Sequence, residues 1–309
     1  MDAMAVIMKE PRNLALSRLF LSDPTEADVV VDIAYSGIST GTERLLWSGT
    51  MPPFPGMGYP LVPGYESVGR ISHAGQAAGR SVGEQVFVPG ANCFGDVRGL
   101  FGGAASRVVV PGARVLPIGE DLGERGVLFA LAATAYHAIV DAPPELIVGH
   151  GVLGRLVARL VLAIGATSPT VWERNPARTG GAEGYKVCDA DADPRRNYRT
   201  ICDVSGDSAI LDTLIARLAP TGEIVLAGFY EKLAFSFPPA FMREARLRIA
   251  AQFQKSDLEA VMRLLECGAL SLDGLITHRE PASAAQGAYE TAFSDPACLK
   301  MILDWRLCS

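Results

Sequence analysis

Residues 145–166 restrict what this chain can fold into more than any other stretch. Their apolar run ends at Gly149, after which Gly149, Gly151 and Gly154 follow at G-x-G-x-x-G spacing, and Leu153, Leu156, Val157, Leu160 and Val161 recur with helical period. The pattern predicts a strand, a tight turn and a helix. In a turn that holds a pyrophosphate, the first glycine permits the bend, the second lets the backbone approach the ligand and the third lets helix pack on strand. Val152 and Leu153 open the helix, whose first N–H groups lack intrahelical partners and sit at the positive end of the helix dipole. A second apolar run, Pro169-Thr-Val-Trp-Glu173, sets an acidic side chain nineteen positions beyond Gly154, where such folds hold a ribose hydroxyl. Glycines used only for packing in an ordinary βαβ unit would show the same spacing. The strand before the turn and the acidic strand end after it favour the nucleotide.

The alternation of strand and helix continues past Glu173. Residues 185–188, 200–204, 223–227 and 247–251 read as strands and residues 208–218 and 257–266 as helices. Counted from Leu146 that makes six strands, the number a doubly wound dinucleotide domain uses. Ser205 and Gly228 fall at strand ends, where open α/β sheets bind their ligands. Residues 6–115 read differently: short β-branched runs at 28–35, 67–71, 85–88 and 106–110, bounded by Gly or Pro, predict a compact β-rich domain. A helical segment over 126–140 leads into the glycine-rich unit, and the tail over 275–304 reads as strand, helix and strand returning to the first domain.

Composition removes several alternatives. A formal charge of −6 with no basic run argues against a partner bound through phosphate neutralisation, so no nucleic acid is expected. Six cysteines are scattered without C-x-x-C or zinc-ribbon spacing and read as reduced thiols. The first ten residues lack the basic flank and long apolar core of a signal peptide, and Arg155 and Arg159 interrupt the longest apolar helix candidate. The expectation is a soluble cytoplasmic protein without a membrane span.

Residues 37–69 are the second informative stretch, Gly-Ile-Ser-Thr-Gly-Thr-Glu-Arg-Leu-Leu-Trp-Ser-Gly at its start and Pro-Leu-Val-Pro-Gly-Tyr-Glu-Ser-Val-Gly at its end. Between them Trp47, Met51, Phe54, Met57 and Tyr59 are punctuated by prolines and glycines, a loop that carries large apolar side chains. Such a loop walls a pocket for a flat apolar ligand or plugs the domain's own core, and the sequence leaves both readings open.

Gly64-Tyr-Glu-Ser-Val-Gly69, Ala133-Thr-Ala-Tyr-His137, Gly149-His-Gly-Val-Leu-Gly154, Ile276-Thr-His278 and Lys300-Met-Ile-Leu303 stand in the order of the medium-chain dehydrogenase/reductase superfamily, which the chain resembles over nearly its whole length. The resemblance implies a GroES-like catalytic domain over residues 1–117 and 256–309 with a Rossmann domain inserted over 118–255, and substrate and nicotinamide meeting in the cleft. It also implies a possible homodimer through the edge strand near 247–251. It places Thr134 near the nicotinamide, Lys300 at the pyrophosphate, and Gly149, Gly151, Val152, Leu153, Gly154, Ser205 and Gly228 around the dinucleotide. Glu173 at the ribose would repel a 2′-phosphate and favours NAD, although Arg174 and Arg178 just beyond it are able to receive one. The 37–69 stretch further resembles zinc-free members that act on a hydroxyethyl tetrapyrrole in bacteriochlorophyll synthesis. That likeness implies NAD-dependent oxidation of a hydroxyethyl group to acetyl, with Trp47, Phe54, Met57 and Tyr59 lining the pigment pocket.

Departures from the superfamily pattern matter as much. Ser39 or Thr40 stands where its zinc enzymes have a ligand Cys, Tyr65 stands where they have His, and the four-cysteine structural lobe is missing, so no metal is expected. Without zinc the alcohol proton needs another acceptor. Thr42 holds the relay hydroxyl position, Ser39, Tyr65 and Glu66 share the former metal face, and Glu43 is a further carboxylate within reach through water. Tyr65 acts as a base only if a nearby cation brings its pKa far below ~10. His137, His150 and His278 read more simply as structural than as catalytic. An enone or quinone reductase of the same superfamily, or a nucleotide-binding protein without catalysis, remains compatible with the sequence.

Overall fold

The structure, a computed structural model, describes residues 1–308. Packing divides the chain into two units, Met1–Ala130 with Asp273–Ser309, and Leu131–Leu272.

The first unit is built from strands β1 (Asp2–Glu10), β2 (Asn13–Phe20), β3 (Asp28–Ile38), β4 (Leu61–Val62), β5 (Ser67–Ala74), β6 (Gln85–Val88), β7 (Arg98–Gly99), β8 (Arg107–Pro111) and β9 (Leu116–Pro117), joined late in the chain by β16 (His278–Pro281) and β17 (Met301–Asp304). They form a four-stranded sheet in the order β2-β1-β4-β7 and a seven-stranded sheet in the order β16-β17-β3-β5-β6-β9, with β8 also on β3. Strand β3 is the hub, antiparallel to β5, β8 and β17. Its run Val29, Val30, Val31 is buried without alternation, because both faces of a central strand meet apolar side chains. Each such valine contributes roughly 1.5–3 kcal/mol of burial. The α-helices of this unit among the described residues include α1 (Thr42–Ser48), joined to β3 by three residues, and α7 (Ala285–Ser294) near the C-terminus.

Among the described residues the second unit carries one six-stranded sheet, formed by β10 (Leu146–Val148), β11 (Thr170–Trp172), β12 (Lys186–Cys188), β13 (Tyr198–Asp203), β14 (Leu218–Leu226) and β15 (Arg246–Ile249). All its pairs are parallel and the order is β12-β11-β10-β13-β14-β15. Chain order reverses at β10, which therefore marks the switch point where doubly wound sheets open a crevice. Helices α2 (Phe129–Ile139), α3 (Val152–Ala163), α4 (Leu211–Arg217), α5 (Phe237–Met242) and α6 (Lys255–Glu266) complete the helical complement. On α3, Leu156, Val157, Leu160 and Val161 are fully buried, the helical stripe the sequence predicts. Among the described residues no helix is long and apolar enough to cross a membrane.

Several boundaries differ from expectation for visible reasons. The segment expected as one helix over 126–140 is a 3₁₀ stretch, Glu120–Leu128, followed by α2, with Gly123 at φ 47° breaking the first part. That stretch packs on β3 and β5, so the first unit extends past residue 117 to Ala130. Helix α6 stays with the second unit, which runs to Leu272 and not 255: Asp257 Oδ2 lies 3.0 Å from His137 Nδ1, and Arg159 donates to the Ser271 carbonyl at 2.9 Å.

Candidate functional site

In the second unit the glycine turn closes as the spacing requires. Gly149 has φ 102°, and a Cβ on Gly154 would collide with the Gly149 carbonyl, so the helix cannot approach the strand with any larger residue. At Gly151, by contrast, the nearest atom to an added Cβ is an Arg178 guanidinium nitrogen at 3.8 Å, which leaves the space in front of the turn open. Gly151 caps α3 without any side-chain hydrogen bond, so the opening amides at Val152 and Leu153 have no capping side chain. Glu173 accepts from the His150 amide at 2.9 Å through Oε2 and from the Asn175 amide at 2.8 Å through Oε1, which fixes the carboxylate at the end of β11 and leaves lone pairs on both oxygens. Ser205 and Gly206 at the end of β13 lie beside Gly149 and Gly228: an added Cβ on Gly149 would sit 3.4 Å from Ser205, and one on Gly228 would sit 3.0 Å from the Gly206 amide. The strand ends predicted to hold a dinucleotide are thus neighbours. Thr134 lies on α2, half-buried.

Two residues support this turn in ways the sequence did not reveal. His150 is fully buried; its Nδ1 lies 2.6 Å from the Arg178 carbonyl and its Nε2 2.8 Å from Tyr185 Oη. A carbonyl only accepts, so Nδ1 carries the proton and Nε2 accepts from the tyrosine. Burial, opposed by the Arg178 carbonyl, holds the imidazole below its ordinary pKa, and this neutral tautomer is a brace. Arg155, 7% exposed, donates to the carbonyls of His150, Arg178 and Gly180 at 3.1, 3.0 and 2.7 Å, tying α3 to the loop after Glu173. Arg174 is exposed, with Asp207 3.6 Å away.

The polar cluster in the first unit gathers around the β3–α1 connection. Ser39 Oγ and Tyr65 Oη lie 2.6 Å apart, and Tyr65 donates weakly to Thr42 Oγ1 at 3.5 Å. Behind them are two fully buried carboxylates. Glu43 Oε1 accepts from the Ser39 amide at 3.1 Å and Oε2 from Tyr289 Oη at 2.6 Å; burial pushes its carboxyl up to about 7, with the Tyr289 hydrogen bond opposing. Glu66 Oε2 is 2.6 Å from Lys300 Nζ, Oε1 has no hydrogen-bond partner, and burial raises this carboxyl against the pull of Lys300. A Cβ at Gly37 would strike Glu66 Oε2, so glycine there is what admits the carboxylate.

This geometry revises two expectations. Lys300 does not reach toward a pyrophosphate: it is fully buried, and its ammonium donates to Glu66 and to the Ile38 carbonyl at 3.1 Å. The cation needed to acidify Tyr65 is therefore neutralised by Glu66, and burial together with Glu66 raises the phenol above its ordinary value, so Tyr65 is a hydrogen-bonding group and not a base in this structure. The apolar loop divides between its two readings. Trp47 is buried against Tyr289 and Phe293, with centroids 6.3 Å from each, and Met57 and Tyr59 pack on the same core, whereas Phe54 is exposed. Phe101, absent from the expected set, stands edge-on to Tyr65 at 5.4 Å and keeps 39% of its surface exposed. His137 and His278 engage Asp257 and Thr277 respectively, as structural histidines do.

Zinc would need three protein donors and an open position. The positions facing it hold two hydroxyls bonded to each other and a carboxylate held by Lys300, and among the described residues no group of three His, Cys, Asp or Glu side chains could hold a metal ion. This donor set does not fit zinc.

Residues 25–120 match the alcohol dehydrogenase GroES-like domain family. Over 99% of its length the chain is 58% identical to the 2-desacetyl-2-hydroxyethyl bacteriochlorophyllide A dehydrogenase of Rhodobacter capsulatus and 56% identical to the protein of that name from Cereibacter sphaeroides, covering 99% of each. Among solved structures, 2R,3R-butanediol dehydrogenase from Bacillus subtilis superposes with a TM-score of 0.85 at 19% identity, over 98% of this chain and 99% of that one, a likeness of fold. A GroES-like match, a six-stranded parallel sheet with its glycine turn, and near-full-length identity to two dehydrogenases place the chain in the medium-chain dehydrogenase/reductase superfamily.

Proposed function

We propose that the chain oxidises the hydroxyethyl side chain of a bacteriochlorophyllide to an acetyl group with NAD as acceptor, and that it does so without zinc. The identity to the two dehydrogenases named for that pigment carries the substrate reading. The mutually bonded hydroxyls of Ser39 and Tyr65 carry the metal-free one.

When bound, the nicotinamide supplies the hydride acceptor. This chain's residues do the rest. The opening amides of α3 and the glycine turn would hold the pyrophosphate, Thr134 on α2 would stand by the nicotinamide, and Ser205 and Gly228 would flank the dinucleotide at the strand ends. Glu173 offers its remaining lone pairs to the adenosine ribose, and its charge disfavours a 2′-phosphate. Ser39, Thr42 and Tyr65 orient the alcohol through hydrogen bonds, and as the hydride leaves for the nicotinamide the alcohol proton passes along these hydroxyls to solvent water at half-buried Thr42. The Glu66–Lys300 pair, whose ammonium also donates to the Ile38 carbonyl, holds the end of β3 next to Ser39. Phe101, edge-on to Tyr65, and the exposed Phe54 of the apolar loop would face the pigment. Strand β15, the sheet edge, with Leu247 40% and Ile249 78% exposed, pairs with a second copy in a homodimer.

The test is a spectral assay with purified protein, NAD and hydroxyethyl bacteriochlorophyllide. Appearance of the acetyl pigment in step with reduced nucleotide supports the reading. Consumption of reduced nucleotide with an enone, and none with the alcohol, replaces it with a reductase. Tyr65→Phe should lower turnover about tenfold or more with NAD affinity unchanged.

A further inference from the structure

The sequence places Tyr289 on α7, 246 residues from Glu43, yet the two side chains meet in the core of the first unit. Tyr289 is 1% exposed and Glu43 fully buried. Trp47 and Phe293 hold the tyrosine ring, the latter edge-on at 5.8 Å. The carboxylate has two oxygens and two donors: Tyr289 Oη at 2.6 Å and the Ser39 amide at 3.1 Å. Ser39 begins the three-residue connection between β3 and α1, and Gly41 caps α1 without a side-chain bond. The reach of Glu43 back to the Ser39 amide is thus the tie that sets this connection, and the other atom of Ser39 that matters, Oγ, lies 2.6 Å from Tyr65.

We propose that Tyr289 is a positioning residue for the proposed alcohol oxidation: acting through Glu43, it fixes the Ser39 backbone and so the place at which the Ser39 and Tyr65 hydroxyls receive the alcohol. The inference rests on the function proposed above. Neither Tyr289 nor Glu43 touches the substrate. Without the phenol hydroxyl, Glu43 Oε2 is a buried acceptor with no donor, and the carboxylate turns or takes a proton, which loosens its hold on Ser39. A displacement of about 1 Å at a reacting centre costs up to about a hundredfold in rate.

The experiment measures kcat and KM for hydroxyethyl bacteriochlorophyllide and NAD, NAD affinity and thermal stability in the full chain and in Tyr289→Phe, Glu43→Gln and Glu43→Ala. The expected result is a kcat about ten- to a hundredfold lower in Tyr289→Phe and Glu43→Ala, with both KM values and the NAD affinity within about twofold. Glu43→Gln keeps an oxygen for the Ser39 amide and offers its own N–H to the Tyr289 oxygen, so it should retain kcat to within about threefold. A purely structural role predicts lower stability with full kcat in the folded fraction of each variant, and that result overturns the inference. Should Tyr289→Phe not fold, equal kcat in Glu43→Gln and Glu43→Ala overturns it as well. Wild-type protein inactive on the pigment means that the proposed function fails; active wild type with undiminished Tyr289→Phe refutes the positioning role alone.

Discussion

Replacing Lys300 by Met separates the arrangement seen here from a pyrophosphate contact. Lys300 and Glu66 are both fully buried and 2.6 Å apart. Removing one partner of a buried ion pair costs about 3–5 kcal/mol, because the other charge is left without compensation. At about 2–4 °C per kcal/mol for a unit of this size, the melting temperature should fall by roughly 6–20 °C. The loss has a pH signature. Burial already raises the Glu66 carboxyl and Lys300 opposes this, so in the variant the folded-state pKa rises further above its unfolded value. A group raised on folding binds its proton more tightly in the native state; its stabilising effect is present at low pH and disappears as pH climbs through the folded pKa. The deficit relative to wild type should therefore be small in acid and largest in alkali. Adding Glu66→Gln to Lys300→Met should recover most of the stability, since the uncompensated charge is gone. Circular dichroism melts across pH, with NAD titrations on the same samples, read both outcomes. NAD affinity should change by less than about twofold. A loss of tenfold or more, about 1.4 kcal/mol, with an unchanged melting temperature would refute the buried pair.

Glu43, with its carboxyl pushed up to about 7 from an ordinary 4.5, binds its proton more tightly in the folded state, so its contribution is full below the ordinary value and lost as pH rises through about 7. At about 1.4 kcal/mol per unit this amounts to about 3 kcal/mol, and Glu43→Gln should flatten that part of a stability-against-pH curve. Glu173→Ala removes the acceptor for the His150 and Asn175 amides, so NAD should bind at least tenfold more weakly by titration, with selectivity over NADP reduced. Gly154→Ala drives a methyl into the Gly149 carbonyl, so NAD binding should be lost and the melting temperature lowered; unchanged binding would show that helix and strand separate freely.

The turn at Gly149 was legible because its chemistry is local: three glycines, a helix start and an acidic strand end lie within a few tens of residues, and each is fixed by a nearby backbone constraint. The six parallel strands were legible for the same reason, through periodicity. The polar cluster was legible only as a set of residue types. Lys300 meets Glu66 across 234 residues and Tyr289 meets Glu43 across 246, and no spacing rule reports such pairs. Trp47 shows the complementary limit. An aromatic in a proline-rich loop reads equally as pocket wall or core plug, and the ring positions of Tyr289 and Phe293 decide for the core. Arg155 read as a polar break in an apolar helix, whereas one carbonyl of the glycine turn and two of the loop after Glu173, which the sequence could not bring around it, let the guanidinium be buried.

Metal-free turnover is the point on which the account rests. The direct measurement takes protein stripped with a strong chelator and verified free of zinc by elemental analysis, adds NAD and hydroxyethyl bacteriochlorophyllide, and follows the acetyl pigment and reduced nucleotide together. The hydroxyl cluster predicts the same rate before and after stripping, with one reduced nucleotide for each acetyl group formed. A stripped protein that is inactive and regains turnover only when zinc is restored would contradict it.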